Sequence, residues 1–174
     1  MTRSRTVRAG VSILLAAGLA ATTVAPAVAR PGAHQAQRAS GDFVVGPDVT
    51  FGAPEDVKGN KCLLTVNGTL HFTGSLEGAA TGTTKAVVFA TCAEATASPP
   101  GTYFDVFRFA GEFEGSIGGE PASGTLTYRG VSREGGRIDA RIQLRDGDGW
   151  ARLRTTDAVV LQGGSYRGTV KPAR

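Results

Sequence analysis

One carboxyl group stands among aromatic residues, a setting that suits acid–base chemistry. Asp105 alternates with Tyr103, Phe107 and Phe109, so in a β-strand these four side chains point to one face. A carboxyl group buried beside aromatic rings has a raised pKa and can act as a general acid or base. The competing interpretation places Asp105 near the mouth of a barrel, solvated by water or paired with an arginine. We favour that structural interpretation and keep Asp105 as a candidate catalytic residue.

Residues that combine apolar area with a polar group form the second class of candidates. Phenol and indole side chains can line a ligand cavity, although they also serve as ordinary core or rim residues. Tyr166 is a further phenol side chain that could line such a cavity. The predicted ligand-binding set is Tyr103, Asp105, Phe107, Tyr128 and Trp150.

Cys62 and Cys92 are the only cysteines in the chain. In an exported protein a disulfide between them is the default expectation, and it would stabilise the fold by roughly 3–4 kcal/mol. Its geometry stays open, because a strand that turns between Gly78 and Gly82 would set Cys92 opposite Gly68. Two thiols without a histidine nearby in the sequence do not indicate a metal site, so we predict no metal and no cofactor.

The first 29 residues have the pattern of a secretory signal peptide. Arginines come first, then an apolar run, then the small-residue site Ala27-Val28-Ala29. The apolar run is shorter than the roughly 18 residues that a membrane anchor needs. We therefore expect cleavage near Ala29, a secreted product and no membrane span after cleavage. Residues 30–41 lack apolar periodicity and are predicted to be a flexible lead-in to a barrel domain at 42–174.

The predicted signal peptide contributes most of the net positive charge of the chain. It holds three arginines and no acid, so its removal lowers the formal net charge from +4 to +1, and no nucleic-acid partner is expected. Residues 42–120 contain ten acids against four Lys or Arg, whereas residues 121–174 contain ten Lys or Arg against five acids. The favoured interpretation is that basic strands pair with acidic strands across a sheet. The alternative is a basic patch that binds an anionic partner.

Apolar residues alternate with polar ones along most of the chain after residue 42, which predicts an all-β fold. The motif F-x-G-x-(L/F)-E-G occurs at residues 72–78 and again at 109–115. In both copies the glycines share the inward face with apolar residues. We therefore predict long strands over 62–78 and 103–117, kinked at Gly74 and Gly111, in one closed antiparallel barrel of about eight strands.

The glycine and turn pattern of the chain resembles that of the allene-oxide-cyclase-like barrel superfamily over residues 60–170. The segments that carry the resemblance are Gly124-Thr-Leu126-Thr-Tyr128, Gly147-Asp-Gly149-Trp150 and Gly164-Ser-Tyr166-Arg-Gly168. The resemblance implies an eight-stranded antiparallel barrel with a mostly apolar cavity, and some members catalyse cyclisations. No catalytic motif of the family is present to carry over. The leader and the two cysteines depart from the intracellular members.

Three functions are compatible with these features. The first is a secreted barrel that binds or sequesters a small apolar or amphipathic molecule. The second is a cyclase-like or isomerase-like enzyme that uses the cavity, Asp105 and a tyrosine. The third is an extracellular protein-interaction or inhibitor module that uses the face carrying Arg137, Arg141 and Arg145. We predict the first, because no catalytic constellation is recognisable.

Overall fold

The computed structural model describes residues 35–173, which form ten strands and one short helix. The predicted signal peptide and the first part of the predicted lead-in lie outside the described residues. In chain order the elements are β1 (Gln37–Val45), β2 (Thr50–Phe51), β3 (Glu55–Val57), β4 (Lys61–Gly74), β5 (Leu76–Val88), α1 (Cys92–Ala97), β6 (Asp105–Ile117), β7 (Glu120–Ser132), β8 (Arg137–Asp146), β9 (Gly149–Val159) and β10 (Gly163–Lys171).

Eight of these strands form one antiparallel sheet that closes on itself. From β4 to β10 each strand pairs with the next, and β1 completes the ring by pairing with β10 on one side and β4 on the other. The short strands β2 and β3 pair with the first half of β4, which β1 does not reach. The prediction of a closed, antiparallel, eight-stranded barrel is confirmed.

The first strand of the barrel begins earlier than predicted. β1 starts at Gln37, so residues 37–41 belong to the sheet and are not a flexible lead-in. Ala39 is buried and lies opposite Gly168 of β10. The inward residues just before Phe43 are Ala39 and Gly41. Because these residues have little or no side chain, the alternation of apolar and polar residues is too weak there to predict a strand.

The turn between β4 and β5 also differs from the prediction. The strand predicted over 62–78 ends at Gly74, whose φ of 98° marks the turn, and Phe72 lies opposite Gly78. The second copy of the glycine motif instead continues as one strand, β6. The two copies are therefore not structural equivalents: Gly74 has the positive φ of a turn, and Gly111 lies within a continuous strand.

Inward glycines of β5 and β6 allow the two backbones to approach closely. Gly82 lies directly opposite Gly111. A Cβ atom added at Gly82 would clash with the carbonyl oxygen of Ala110 and the Cα of Gly111. Glycine is thus required here for the close approach of two strands, a role different from the kink that the sequence analysis predicted at Gly111.

One end of the barrel interior is filled by the side chains of the barrel itself. Large inward residues there are buried almost completely: Phe72, Leu76, Phe113, Ile117, Leu126, Ile142, Leu144, Tyr166 and Val170. The hydroxyl of Tyr166 accepts a hydrogen bond from the Leu76 amide (2.8 Å) and lies 2.9 Å from the Thr73 carbonyl oxygen, to which it can donate. Tyr166 therefore holds the β4–β5 turn in place.

We predict that Tyr166→Phe lowers the free energy of unfolding by about 1–3 kcal/mol, because the buried Leu76 amide loses its partner. Denaturant unfolding measures the change. Tyr103→Phe is the matched control, since its hydroxyl makes only a 3.5 Å contact with Ser98; it should change the free energy by less than about 0.5 kcal/mol. Equal unfolding midpoints for wild type and Tyr166→Phe would contradict this role.

Candidate ligand cavity

The other end of the barrel interior is hollow. It encloses a cavity of about 480 Å³, a volume typical of small-molecule sites. Inward apolar side chains of β4 and β5, among them Leu64, Val66 and Ala86, form one wall, and Phe107 of the neighbouring strand β6 continues it. The segment before β3, the helix α1 with the loop after it, and residues 159–161 form the rim.

The rim includes a helix where a strand end was predicted. The strand predicted over 84–92 stops at Val88, and α1 begins at Cys92. A capping box starts the helix: the Thr91 hydroxyl accepts a hydrogen bond from the Glu94 amide (3.3 Å), and the Glu94 carboxylate accepts one from the Thr91 amide (3.0 Å). The spacing of Thr91 and Glu94 is the sequence signal that could have indicated this helix.

The predicted disulfide between Cys62 and Cys92 is confirmed, with 4.8 Å between the two Cα atoms. Cys62 lies in β4 opposite Val88, the last residue of β5. The chain then leaves the sheet and turns back, which brings Cys92 beside Cys62. The alternative, Cys92 opposite Gly68, is wrong, because Gly68 faces Gly82. The bond ties the rim helix to the barrel wall.

A buried carboxyl group lies in the wall of the cavity. Asp105 begins β6, is 9% exposed and accepts a hydrogen bond from the Ser132 hydroxyl (2.9 Å). Burial raises the pKa of Asp105, and the bond from Ser132 acts in the opposite direction. Of the two alternatives for Asp105 in the favoured interpretation, solvation or an arginine partner, the second is wrong: among the described residues the one ion pair joins Arg133 and Asp139. Asp105 is therefore available to a ligand in the cavity.

A tyrosine hydroxyl close to Asp105 lacks a hydrogen-bond partner. Tyr128 is 5% exposed and packs edge-on against Phe107 and Phe43, with ring centroids 4.9 and 5.4 Å apart. The Thr155 hydroxyl lies near the Tyr128 hydroxyl, but it bonds the backbone of β8, and within residues 35–173 no group makes a hydrogen bond of good geometry to the Tyr128 oxygen. Burial raises the pKa of Tyr128, the nearby Thr155 hydroxyl lowers it, and the charge of Asp105 raises it further. Buried polar atoms are rarely left unpaired, so this hydroxyl marks a place where a ligand or water can bind.

The structure brings most of the predicted ligand-binding set together. Tyr103, Asp105, Phe107 and Tyr128 all line the cavity. Trp150 does not: its neighbour Ala151 points inward, so the indole lies on the outer face, where the Arg152 guanidinium is 5.0 Å from the ring centroid.

Two further residues correct the sequence analysis of the site. Tyr166 belongs to the filled end of the barrel and does not line the cavity. Sequence reasoning missed Ser132, which lies opposite Asp105 on β7. Its alternation with Gly130 and Tyr128 was the available signal that it faces inward.

The chain matches no protein-family model and no curated protein. The described residues contain no helix that is long and apolar enough to span a membrane. They also contain no group of three or more His, Cys, Asp or Glu side chains that could hold a metal ion. The cavity must therefore be interpreted from its own chemistry.

We predict that replacing both Cys62 and Cys92 by alanine lowers the free energy of unfolding by roughly 3 kcal/mol, because the unfolded chain gains the freedom of a long open loop. Denaturant unfolding measures the loss. Reduction of the wild-type chain should reproduce it without any mutation. A double variant as stable as the oxidised wild type would show that the bond does not stabilise the barrel.

The raised pKa of Asp105 predicts that this residue lowers the free energy of unfolding increasingly as pH rises. The folded chain favours the neutral acid, so the stability contributed by this group is fully present below the unfolded pKa and is lost as pH rises through the folded pKa. Asp105→Asn should therefore gain stability relative to wild type as pH rises from acid to neutral. Unfolding free energies measured across that range test this.

Asp139→Asn is a control of opposite sign. A hydrogen bond from Arg133, together with its charge, lowers the pKa of Asp139, so its contribution is present above the unfolded pKa and is lost as pH falls through the folded pKa. This variant should lose stability at neutral pH. Parallel profiles for Asp105→Asn and wild type would contradict the assignment of Asp105 as a buried acid.

Proposed function

We propose that this protein binds a small, mostly apolar molecule that carries one hydrogen-bonding group. The observation that carries the proposal is the cavity of about 480 Å³, with apolar walls and one polar cluster formed by Asp105, Ser132 and Tyr128. Most small-molecule sites combine an apolar lining with a few placed polar groups that orient the ligand.

The contrast between the two ends of the barrel supports this proposal. Inward residues at the filled end, such as Phe113 and Ile117, are fully buried by their neighbours. Leu64, Val66 and Ala86 also line the interior, yet they remain only partly buried. A ligand would remove their apolar surface from water, which is favourable by about 25 cal/mol per Å².

The polar cluster suggests which group the ligand carries. An ionised Asp105 would accept a hydrogen bond from a hydroxyl or an amine, and a protonated Asp105 would donate one to a carbonyl oxygen. The Tyr128 hydroxyl offers a second partner on the same wall. An amphipathic molecule with its polar group at this wall and its apolar part against Leu64 and Val66 matches the lining.

Asp105 also favours a second candidate function, the cyclisation or isomerisation of a bound molecule. A carboxyl group whose pKa is raised by burial keeps its proton more readily than a solvated one and can exchange that proton with a bound substrate. The resemblance to the allene-oxide-cyclase-like superfamily supports the same idea. In this mechanism the cavity holds the substrate in its reactive shape, and Asp105 acts as the acid or base.

The proposal includes secretion. Disulfides persist mainly in oxidising compartments, and the Cys62–Cys92 bond suits such a compartment. The signal-peptide pattern of the first 29 residues supports export as well. The ligand would then be a molecule that the protein meets outside the cell.

A cavity-filling variant tests the binding proposal. Ala86 lines the cavity between Leu64 and Phe107 in the register of the sheet, so Ala86→Phe should occupy the space and weaken the binding of a neutral solvatochromic dye by at least about tenfold. Fluorescence titration measures the affinity, and circular dichroism checks the fold.

Ala110→Phe is the matched control, because Ala110 is exposed on the outer face of β6. It should bind the dye as wild type does. Equal affinity in Ala86→Phe and wild type would refute binding in the cavity. With a natural ligand in hand, Asp105→Asn separates the two functions: loss of turnover with binding kept within about threefold identifies an enzyme.

A further inference from the structure

Six cations form a continuous row across the outer face of the barrel. One comes from each of six consecutive strands, and each lies directly opposite the next in the register of the sheet. All six are exposed. We call this row the cationic belt, and its members are Lys85, Arg108, Arg129, Arg141, Arg154 and Arg167.

The belt overturns the expectation that basic strands pair with acidic ones. Arg141 lies between Arg129 and Arg154, so cations face cations across three neighbouring strands. Like charges directly opposite each other destabilise a sheet. The nearest outward neighbours of each belt residue are the side chains two residues before and after it on the same strand. Among those that the structure describes, Asp139 is the one acid, and its carboxylate already pairs with the Arg133 guanidinium at 2.7 Å. A row of facing cations that destabilises the sheet and is not neutralised by nearby acids indicates that these charges serve a function.

A shallow groove lies where the belt crosses the last strands of the barrel. Its volume is about 640 Å³, and Gln143 and Thr169 add polar groups to its walls. A guanidinium group binds phosphate and carboxylate groups with two parallel hydrogen bonds. The groove places five of these groups together: Arg38, Arg141, Arg152, Arg154 and Arg167.

We propose that the cationic belt binds a flexible, linear polyanion, with the groove as its main anchor. Neighbouring strands are about 4.8 Å apart, so a chain with phosphate or carboxylate groups at similar intervals can pair with successive belt residues. The belt points outward and the cavity inward, so this site does not depend on the proposed ligand function.

The shape of the belt argues for flexibility in the partner. The belt crosses six of the eight strands of a closed barrel and therefore follows a convex surface. A planar membrane or a DNA duplex, whose persistence length is about 50 nm, would meet only part of it. Proteins that bind single-stranded nucleic acid stack bases on aromatic side chains. The aromatic side chain on the outer face beside the groove is Trp150, and the Arg152 guanidinium already lies over its ring, 5.0 Å from the centroid, so it does not offer a free surface for stacking bases. A polymer without bases fits best.

The test is titration calorimetry of the full mature chain with inorganic polyphosphate and, separately, with polygalacturonate, over a series of salt concentrations. We expect binding that weakens as salt rises. The triple variant Arg141→Gln, Arg154→Gln, Arg167→Gln should bind at least about tenfold more weakly, with a salt slope smaller by about three. Binding of one polymer only assigns the site to phosphate or to carboxylate.

The matched control removes the same charge away from the belt, through Lys58→Gln, Arg137→Gln and Arg145→Gln. It should keep polymer affinity within about threefold, since these cations lie outside the row. Both triple variants should still bind the dye used for the cavity, so failure of one proposal is distinguishable from failure of the other.

Three results would overturn the proposal. The first is no binding of either polymer at low salt. The second is an equal loss of affinity in the belt variant and its control, which would mean that only net charge matters. The third is tighter binding of duplex DNA, anionic vesicles or an acidic globular protein than of either polymer.

Discussion

Closure of the sheet is the constraint on which the rest of the molecule depends. β1 pairs with β10 and with the second half of β4, so the eight strands form a ring and only the first half of β4 needs the short strands β2 and β3 to cover it. A closed ring divides every strand into inward and outward residues, because successive side chains point to opposite faces. The cavity and the cationic belt are the two results of this division.

The interior is divided a second time, along the barrel axis. Bulky residues such as Phe72, Phe113 and Tyr166 fill one end, and the Tyr166 hydroxyl fixes the β4–β5 turn there. At the other end smaller inward residues, such as Ala86 and Gly68, leave the space open. The rim helix does not refill that space, since the disulfide ties it to the wall beside Cys62. A fold of this size can thus combine a stable core with room for a guest.

The sequence was sufficient for the fold class and for part of the site. Period-two alternation predicted the all-β fold, and the inward glycines predicted the barrel. The candidates Phe107 and Tyr128 line the cavity, and so does Asp105, for which a position near the barrel mouth was the favoured interpretation. The prediction that Trp150 lines the cavity was wrong. It followed from the chemistry of the indole alone, whereas Ala151 points inward and its neighbour Trp150 therefore points outward. The cysteine geometry stayed open because it depends on where β4 turns, and the glycines between Gly74 and Gly82 offer several places for that turn.

The cationic belt could not be read along the chain. Its members are separated by between 12 and 23 residues, and only the register of five strand pairs brings them into one row.

Native mass spectrometry decides whether the cavity holds a guest, provided that the protein is purified, without refolding, from the cells and the growth medium of the organism that produces it. A bound adduct of roughly a few hundred daltons, the size that such a cavity accommodates, is the predicted result. A mass equal to that of the bare, oxidised chain, unchanged after incubation with an organic extract of the same medium, would contradict it.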